Sequence, residues 1–253
     1  MNILITGGNG RLGREVATFL LEQGHFVKSM GRKPIDFEVQ NYSWALGMSP
    51  NPMALKNTDF ILHLAWNRQD KSNNSFHLNL GGSMKVFEAA DLAGIKVFNF
   101  SSISAANPIS IYGRTKRLVE IENSKGVNLR IAKVECNRNF QLTMKSEKRY
   151  RGLILLPLPG NLRVHVISLD SFLKEIQKFI NGEFSPGTYT LPSQSYEISD
   201  YFKKFYGVNS FTAPHSLFEL LFKFSRVSRT RTGFLMYDRW ISLKSSSMVG
   251  LKS

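Results

Sequence analysis

Short apolar runs alternate with helix-periodic segments through the first half of the chain. The apolar runs are "NILIT", "HFVKSM", "DFILHLAW", "KVFNFSS" and "VNLRIAKV", and each is typical of a strand. Residues 11–23 and the segments "GGSMKVFEAADLAG" and "SIYGRTKRLVEIENSKG" repeat apolar positions at helical spacing. Strands that alternate with helices predict a doubly wound α/β fold, in which helices cover both faces of a parallel sheet.

This alternation loosens after the last of those strands. Residues 170–181 and 196–206 are predicted to be helices, and "GTYTLP" is predicted to be a short strand. We therefore predict a first domain over residues 1–136 and a small C-terminal region over residues 137–253. We expect the C-terminal region to carry substrate contacts.

The C-terminal segment combines an apolar stripe with a basic cluster. The stripe and the cluster consist of Leu217, Leu220, Leu221, Phe224, Arg226, Arg229 and Arg231. We favour a helix that packs on the body of the protein and ends in a solvated basic turn. The alternative is a helix that lies on an anionic membrane surface, which would give the protein a peripheral membrane contact.

Charge is the unusual feature of the composition. The 253 residues carry a formal net charge of +14, but the basic residues are spread along the chain and no nucleic-acid reader motif is present. We therefore expect no nucleic-acid partner, and anionic substrates, an anionic membrane or an acidic protein remain as explanations. The chain starts directly in a strand-like run and has one cysteine, Cys136, so we expect a cytoplasmic protein.

A cluster of glycines follows the first predicted strand, in the stretch "MNILITGGNGRLGREVATFL". Gly8, Gly10 and Gly13 fit the general dinucleotide fingerprint, and Thr6 and Gly7 extend the same stretch to the pattern T-G-x-x-G-x-x-G. In both patterns glycine stands where the strand turns sharply into a helix and where the backbone approaches a pyrophosphate. The helix that follows offers free N–H groups and a positive dipole end to the phosphates.

The second glycine pattern resembles that of the extended short-chain dehydrogenases/reductases, the NAD(P)-dependent epimerase/dehydratase family. The resemblance continues in order over roughly residues 1–135. "DFILHLAW" resembles the family's strand ending in H-L-A-A, "NLGGSMKVFEAA" its N-V-x-G-T helix, "FNFSSISA" its serine-bearing strand end and "YGRTKRLVE" its Y-G-x-S-K-x-x-x-E helix. The resemblance implies a Rossmann-type NAD(P)-binding domain over residues 1–136, a sugar substrate and, as in related enzymes, a homodimer.

The residue that closes the second strand predicts the form of the dinucleotide. An acidic side chain at that position would accept a hydrogen bond from the ribose 2′-hydroxyl, but here the strand closes with "SMGRKP" and the first carboxylate is Asp36. Arg32, with Lys33 beside it, is placed to bind a 2′-phosphate, so we expect NADP; NAD with Arg32 stacked on the adenine is the alternative. The predicted cofactor-binding residues are Thr6, Gly7, Gly10, Arg11, Leu12, Gly13, Arg32, Leu64, Ala65, Asn79 and Lys116.

Tyr112 and Lys116 are predicted to share one face of a helix, because four residues separate them. A tyrosine has a pKa of about 10 and needs an adjacent ammonium to act as a base near neutral pH. The family resemblance implies that the same ammonium donates to the nicotinamide ribose. Ser102 is the preferred residue to orient the substrate oxygen, with Ser104 as the alternative, since Ile103 occupies the family's third serine position.

These residues predict an NADP-dependent epimerase or reductase that acts on a nucleotide sugar through a keto intermediate. Dehydration is disfavoured because Ser104, Ala105 and Ala106 stand where the dehydratases of the family carry an Asp-Glu pair. A non-catalytic NADP-binding sensor or scaffold and a membrane-associated enzyme acting on a lipid-linked sugar are the alternatives. His63 is expected to pack near the cofactor and His165 to meet the substrate or to be structural, and no metal-ligand spacing is found.

Overall fold

The structure is a computed structural model of the chain. It describes residues 1–67, 73–135, 153–157, 163–182, 184–206 and 209–213. The chain divides into two compact units. The first unit comprises Met1–Ser102, Thr115–Arg130 and Leu173–Thr190, and the second comprises Ile103–Arg114, Ile131–Phe172 and Leu191–Ser253.

Strands and helices alternate in the first unit as the sequence pattern predicts. The strands of the chain are β1 (Asn2–Thr6), β2 (Phe26–Gly31), β3 (Gln40–Ser43), β4 (Phe60–His63), β5 (Lys96–Ser102), β6 (Val127–Ile131), β7 (Lys133–Glu135), β8 (Leu153–Pro157), β9 (Arg163–Ser168), β10 (Gly187–Thr190), β11 (Gln194–Glu197) and β12 (Asn209–Ala213). The helices are α1 (Arg11–Glu22), α2 (Pro52–Leu55), α3 (Asn73–Leu92), a 3-10 turn (Ile103–Ala105), α4 (Ile111–Glu122), α5 (Leu169–Asn181) and α6 (Ile198–Tyr206).

A parallel sheet of seven strands forms the centre of the first unit, in the order β10-β6-β5-β4-β1-β2-β3. The predicted doubly wound, Rossmann-type fold is therefore confirmed. The chain leaves β1 toward β2 on one side and returns to pair β4 on the other, so the order reverses between β1 and β4. Open α/β sheets bind ligands at such a reversal, outside the carboxyl ends of the strands.

The predicted strand in "GTYTLP" lies at the edge of this sheet. It is β10, which pairs in parallel with β6, with Gly187 opposite Val127. The sheet therefore takes one strand from the second half of the sequence. The predicted domain boundary between residues 136 and 137 stays a prediction.

The central strand β1 is covered on both faces. The side chains of Ile3, Leu4 and Ile5 are completely buried, as is expected when helices pack on both sides of a parallel sheet. Val16 and Leu20 of helix α1 are also completely buried. This packing holds the carboxyl end of β1 in a fixed position.

Helix α4 is anchored to the sheet by a buried carboxylate, Glu120. The Glu120 side chain accepts hydrogen bonds from Ser101 Oγ of β5 (2.6 Å) and, through both oxygens, from Arg130 Nε (2.9 Å) and Nη2 (2.7 Å) of β6. Arg117 Nη1 of α4 is a further donor, at 3.0 Å. One side chain therefore connects the helix with two strands.

The surroundings of Glu120 favour its charged form. Burial raises the pKa of Glu120, but the hydrogen bonds from Arg130 and Ser101 and the charge of Arg130 outweigh burial, so the pKa lies below its ordinary value. A carboxylate with a lowered pKa stabilises the folded state above its unfolded pKa of about 4.3, and this contribution is lost as the pH falls through the folded value.

The second unit contains a small mixed sheet in the order β11-β9-β7 and a separate parallel pair of β8 and β12. The predicted helices 170–181 and 196–206 correspond to α5 and α6. Tyr201 of α6 is buried, and its hydroxyl donates to Glu135 Oε1 at 2.8 Å. His165 lies on β9, and burial and then the charge of Arg163 lower its pKa.

Two kinds of predicted feature are not part of the described structure. Cys136 and residues 214–253, which include the predicted basic C-terminal helix, lie outside the described residues. Within the described ranges, no helix has the length and apolarity to cross a bilayer. The same ranges hold no group of three or more His, Cys, Asp or Glu residues arranged for a metal ion.

We predict that Glu120→Gln lowers the free energy of unfolding by about 3 kcal/mol, because the substitution leaves Arg130 buried beside a neutral amide. Only 15% of the Arg130 side chain and 1% of the Glu120 side chain are exposed. The measurement is urea unfolding at neutral pH. Asp91→Asn is the matched control, since it breaks the Lys125–Asp91 pair, whose side chains are 78% and 44% exposed. The control should change stability by less than about 1 kcal/mol, and equal effects of the two substitutions would refute the anchoring role.

Candidate functional site

The glycine-rich loop after β1 passes close to the end of β4. Gly7 has a φ of +73°, and a Cβ atom added to it would lie 2.8 Å from Ala65 Cα and 3.0 Å from Ala65 N. Gly7 N donates to Met30 O of β2 (2.9 Å), and Gly10 N donates to Gly7 O (2.9 Å). No residue with a side chain fits at Gly7 without moving one of these backbones.

Gly13 fills a second tight position, where α1 meets the loop. A Cβ atom at Gly13 would lie 2.7 Å from Gly8 O and 2.8 Å from Gly8 Cα. The helix can therefore begin directly against the loop only with glycine at this position. The sequence pattern predicts glycine where the strand turns into the helix, as at Gly13, but it does not predict that Gly7 lies against Ala65.

The N-terminus of α1 carries no side-chain cap. Its N-cap residue is Gly10, which has no side chain to cap the helix, and the first turn contains no acidic residue. The first helical bond runs from Arg14 N to Gly10 O at 2.9 Å, so the N–H groups of Arg11, Leu12 and Gly13 precede the helical ladder. These N–H groups and the positive end of the helix dipole favour a phosphate.

A chain of hydrogen bonds passes below the loop and connects β1, β4 and α3. Ala65 N donates to Thr6 Oγ1 (3.2 Å), and Thr6 Oγ1 lies 2.8 Å from His63 Nδ1. His63 Nε2 lies 2.9 Å from Ser83 Oγ, which donates to Asn79 O at 2.7 Å. Thr6 and His63 are direct neighbours in the register of the two strands.

The ends of this chain determine the tautomer of His63. Ser83 uses its proton on Asn79 O, so its oxygen accepts a hydrogen bond from His63 Nε2–H. His63 Nδ1 then accepts from the Thr6 hydroxyl. Burial, with a smaller contribution from the charge of Lys116, lowers the pKa of His63 to about 3, so the ring is neutral at physiological pH.

Asn79 holds the segment that follows β4. Asn67 N donates to Asn79 Oδ1 (2.8 Å), and Asn79 Nδ2 donates to Asn67 O (3.1 Å) and lies 3.3 Å from Ser75 Oγ. Asn79 is buried in α3. In this structure its amide fixes the backbone of Asn67, and its predicted contact with a cofactor stays a prediction.

Lys116 points from α4 to the end of β5. Its Nζ donates to Phe100 O at 2.6 Å and lies 3.8 Å from the centroid of the Trp66 indole ring. The lysine is 7% exposed, so most of its ammonium is enclosed by the protein. Sequence reasoning found Lys116 but missed Trp66, although Trp66 directly follows the "HLA" motif.

The remaining predicted catalytic residues lie on β5, the 3-10 turn and α4. Ser102 is the last residue of β5, and Ser104 belongs to the 3-10 turn; both are buried. Tyr112 is half-buried in the first turn of α4, four residues before Lys116, as the helical periodicity predicts. Ser110 caps this helix, because its hydroxyl accepts from Gly113 N at 3.0 Å.

The carboxyl end of β2 presents a cation and a paired carboxylate. Arg32 is exposed directly after β2. Asp36, the first carboxylate after this strand, is bound by Arg14 Nη1 at 2.6 Å, and Arg14 Nε donates to Asn9 Oδ1 of the glycine loop at 2.8 Å. The hydrogen bond from Arg14 lowers the pKa of Asp36. Sequence reasoning missed Arg14, which lies one turn into α1.

The predicted cofactor-binding residues of the first unit therefore lie at one end of its sheet. They lie at or directly after the carboxyl ends of β1, β2 and β4 or belong to the helices α1, α3 and α4. The geometry supplies a helix N-terminus whose first N–H groups precede the helical ladder, a neutral hydrogen-bonded histidine and a largely buried lysine.

The sequence of this half of the chain matches a known family. Residues 3–125 match the family described as the NAD dependent epimerase/dehydratase family. A curated relative, dTDP-6-deoxy-L-talose 4-dehydrogenase (NAD(+)) of Aggregatibacter actinomycetemcomitans, is 34% identical over 87 residues. This alignment covers 31% of the chain and spans only 32% of the relative's length.

Solved structures share the fold over most of the chain. MoeE5 in complex with UDP-glucuronic acid and NAD is 17% identical, with a TM-score of 0.68 and coverage of 85% of each chain. UDP-glucose 4-epimerase of Thermotoga maritima with UDP-glucose is 17% identical, with a TM-score of 0.68 over 85% of this chain and 86% of the epimerase. The NAD dependent-NDP-hexosamine 5,6-dehydratase TunA is 16% identical, with a TM-score of 0.68 over 85% of this chain and 84% of TunA. At these identities the similarity shows the fold alone.

We predict that His63 carries its proton on Nε2 and stays neutral between about pH 5 and pH 8, because its pKa lies far below the ordinary 6.5. Nitrogen chemical shifts of ¹⁵N-histidine-labelled protein report both properties, and the His63→Gln variant assigns the signal. A titration of His63 near its ordinary pKa, or a proton on Nδ1, would contradict the donor and acceptor roles assigned to Thr6, His63 and Ser83.

This prediction has a consequence for stability. The unfolded state binds a proton at His63 below about pH 6.5, whereas the folded state does not, so the folded state loses stability as the pH falls below that value. His63→Gln removes this loss. The variant's unfolding free energy should therefore depend less on pH between about pH 6.5 and pH 4 than that of the wild type.

Proposed function

Because residues 3–125 match the NAD dependent epimerase/dehydratase family, we propose that the protein is an NAD(P)-dependent oxidoreductase or epimerase acting on a sugar hydroxyl through a keto intermediate. The observation that carries the proposal is the close contact of the Gly7 loop with Ala65 beside the open N-terminus of α1. That arrangement suits a pyrophosphate at the reversal point of the sheet. A nucleotide sugar is the proposed substrate, since the net charge of +14 favours an anionic ligand.

The residues of the first unit fit a dinucleotide. The N–H groups of Arg11, Leu12 and Gly13 would bind the pyrophosphate, and glycine at position 7 lets the loop that precedes them lie against Ala65. Leu64 and Ala65 would line the path toward Lys116. A bound NAD(P) supplies the acceptor that takes a hydride from the sugar carbon and can return it.

The chain's own groups would move the proton. Tyr112, as the tyrosinate, would take the proton of the sugar hydroxyl while the carbon becomes a carbonyl. Lys116, one helical turn away, would stabilise the tyrosinate and donate to the nicotinamide ribose. Ser102 would hold the substrate oxygen by a hydrogen bond.

Dehydration stays outside the proposal. A dehydratase needs an acid to protonate the leaving hydroxyl, and the 3-10 turn that follows β5 carries Ile103, Ser104 and Ala105. TunA has the same fold and is a dehydratase, but that similarity extends to the fold alone. We therefore propose redox chemistry at one carbon, as an epimerase or a reductase.

NADP is the proposed cofactor form, with NAD as the alternative. The support is local: Arg32 is exposed at the end of β2, and the nearby carboxylate of Asp36 is already bound by Arg14. A free carboxylate would repel a 2′-phosphate, whereas the guanidinium of Arg32 would bind it.

We predict that Tyr112→Phe lowers turnover by at least about 100-fold, because the base is lost, while dinucleotide affinity changes little. The probes are UDP-glucose, UDP-glucuronic acid and dTDP-6-deoxy-L-talose, followed by NAD(P)H absorbance and by sugar analysis. Tyr189→Phe is the matched control, since the Tyr189 hydroxyl donates to Ser185 O at the edge of the sheet. Full activity of Tyr112→Phe on a turned-over probe would refute the assignment.

We further predict that Arg32→Ala weakens NADPH binding by about tenfold, the loss expected for a charge-assisted hydrogen bond, and leaves NADH binding unchanged. Calorimetric titration measures both affinities. Lys33→Ala is the control and should have a smaller effect. A wild-type preference for NADH that Arg32→Ala does not alter would favour the NAD alternative.

Mass spectrometry of the denatured wild-type protein tests the wider proposal. One retained dinucleotide per chain would favour an epimerase, which regenerates its cofactor in each turnover. An empty protein that binds NADPH reversibly would favour a reductase. If the protein neither retains nor binds a dinucleotide, the proposed function fails.

A further inference from the structure

The segment that follows β2 lies directly against the glycine-rich loop. Ile35 is buried, and its Cδ1 atom is 2.9 Å from the place that a Cβ atom on Gly8 would take. Asn41 of β3 holds Ile35 there, because its side chain accepts from Ile35 N at 2.8 Å and donates to Ile35 O at 3.0 Å. The backbone of the next residue, Asp36, is therefore held beside the loop that would bind the pyrophosphate.

Arg14 connects the Asp36 side chain with the same loop. Its Nη1 donates to Asp36 Oδ1 at 2.6 Å, and its Nε donates to Asn9 Oδ1 of the loop at 2.8 Å. Arg14 belongs to α1, the helix whose N-terminus would face the phosphates. The guanidinium is therefore bonded to the loop and to the carboxylate at once.

The pair of Arg14 and Asp36 is accessible to solvent. The two side chains are 39% and 74% exposed, so the pair adds little to the stability of the fold. The carboxylate stays ionised near neutral pH, since the hydrogen bond from Arg14 lowers its pKa. The guanidinium balances that charge, so an arriving phosphate meets a neutral pair in place of a bare carboxylate.

We propose, on the basis of the proposed function, that Arg14 is a specificity-determining residue for the dinucleotide. It balances the charge of Asp36 and thereby lets the site accept a ribose 2′-phosphate at the end of β2. Without Arg14, the carboxylate would repel the phosphate and would be available to accept a hydrogen bond from a 2′-hydroxyl. Arg14 thus affects the choice between NADP and NAD through Asp36.

The test is the ratio of the NADPH affinity to the NADH affinity, measured by calorimetric titration of the full chain at low ionic strength. Arg14→Met should lower this ratio by about 5- to 10-fold, the size expected for repulsion between an exposed carboxylate and a doubly charged phosphate a few ångströms away. Arg14→Lys keeps the charge and should keep most of the ratio. The ratio cancels the contacts that the two dinucleotides share, so the fall is expected whichever of them the wild type prefers.

A second substitution connects the fall to the carboxylate. In the Asp36→Asn background, Arg14→Met should leave the ratio unchanged, because no carboxylate is left to repel the phosphate. Lys125→Met is the matched control: it also removes one positive charge from an exposed ion pair, here with Asp91, and should not change the ratio. Salt is an independent readout, since the fall caused by Arg14→Met should shrink as the ionic strength rises.

The outcomes separate this inference from the proposed function. An unchanged ratio in Arg14→Met, with both dinucleotides bound, would overturn the role of Arg14 and leave the dinucleotide site intact. A fall of the same size in the Asp36→Asn background would also overturn it, because Arg14 would then act by touching the phosphate itself. Binding of neither NADPH nor NADH by the wild type would remove the proposed function and this inference together.

Discussion

The close approach of two backbones is the constraint on which the candidate site depends. Gly7, after β1, and Ala65, after β4, lie so near that a Cβ atom on Gly7 would be 2.8 Å from Ala65 Cα. Two backbones can approach this closely only if one of the residues is glycine, which has no Cβ atom. Hydrogen bonds from the neighbouring strands then have to hold the two segments in place. That support is the bonded series Ala65, Thr6 and His63, which continues to α3. The Ala65 backbone that the glycine loop meets is therefore held, through Thr6, by a buried histidine.

Helix α4 is fixed to the end of β5 by hydrogen bonds that involve two charged side chains of the helix. Phe100 contributes its carbonyl to Lys116, and the next residue, Ser101, contributes its hydroxyl to Glu120. Lys116 and Glu120 are one helical turn apart, so consecutive residues of the strand hold consecutive turns of the helix. The burial of two ionised side chains is costly, but each is satisfied by hydrogen bonds that also fix the position of the helix. The orientation of Lys116 thus follows from the attachment of α4 to the sheet.

The sequence predicts features that repeat locally and does not predict contacts between distant segments. The fold is confirmed, and residues 3–125 match the family model, because strand and helix periods are strong over residues 1–135 and because the glycines stand at fixed offsets. The sequence predicts that His63 lies at the end of a strand near the cofactor. It does not predict the contact with Ser83, because Ser83 lies 20 residues further along the chain. Arg14 and Asp36 are 22 residues apart, and nothing in the local pattern indicates their ion pair. Helical spacing shows that Lys116 shares a face with Tyr112, but it cannot show that an indole covers the ammonium.

Two of the contacts of the Lys116 ammonium are made with uncharged groups. The carbonyl of Phe100 accepts a hydrogen bond from it, and the Trp66 indole face lies 3.8 Å away and stabilises the cation. The charge does reach its surroundings, because it contributes to the low pKa of His63. A positive field at this end of the sheet adds to the dipole of α1 and favours anions there. Burial is the main cause of the low pKa of His63 and the Lys116 charge is the second, so the cation proposed for the chemistry also favours the neutral ring that is bonded to Thr6 beneath the loop.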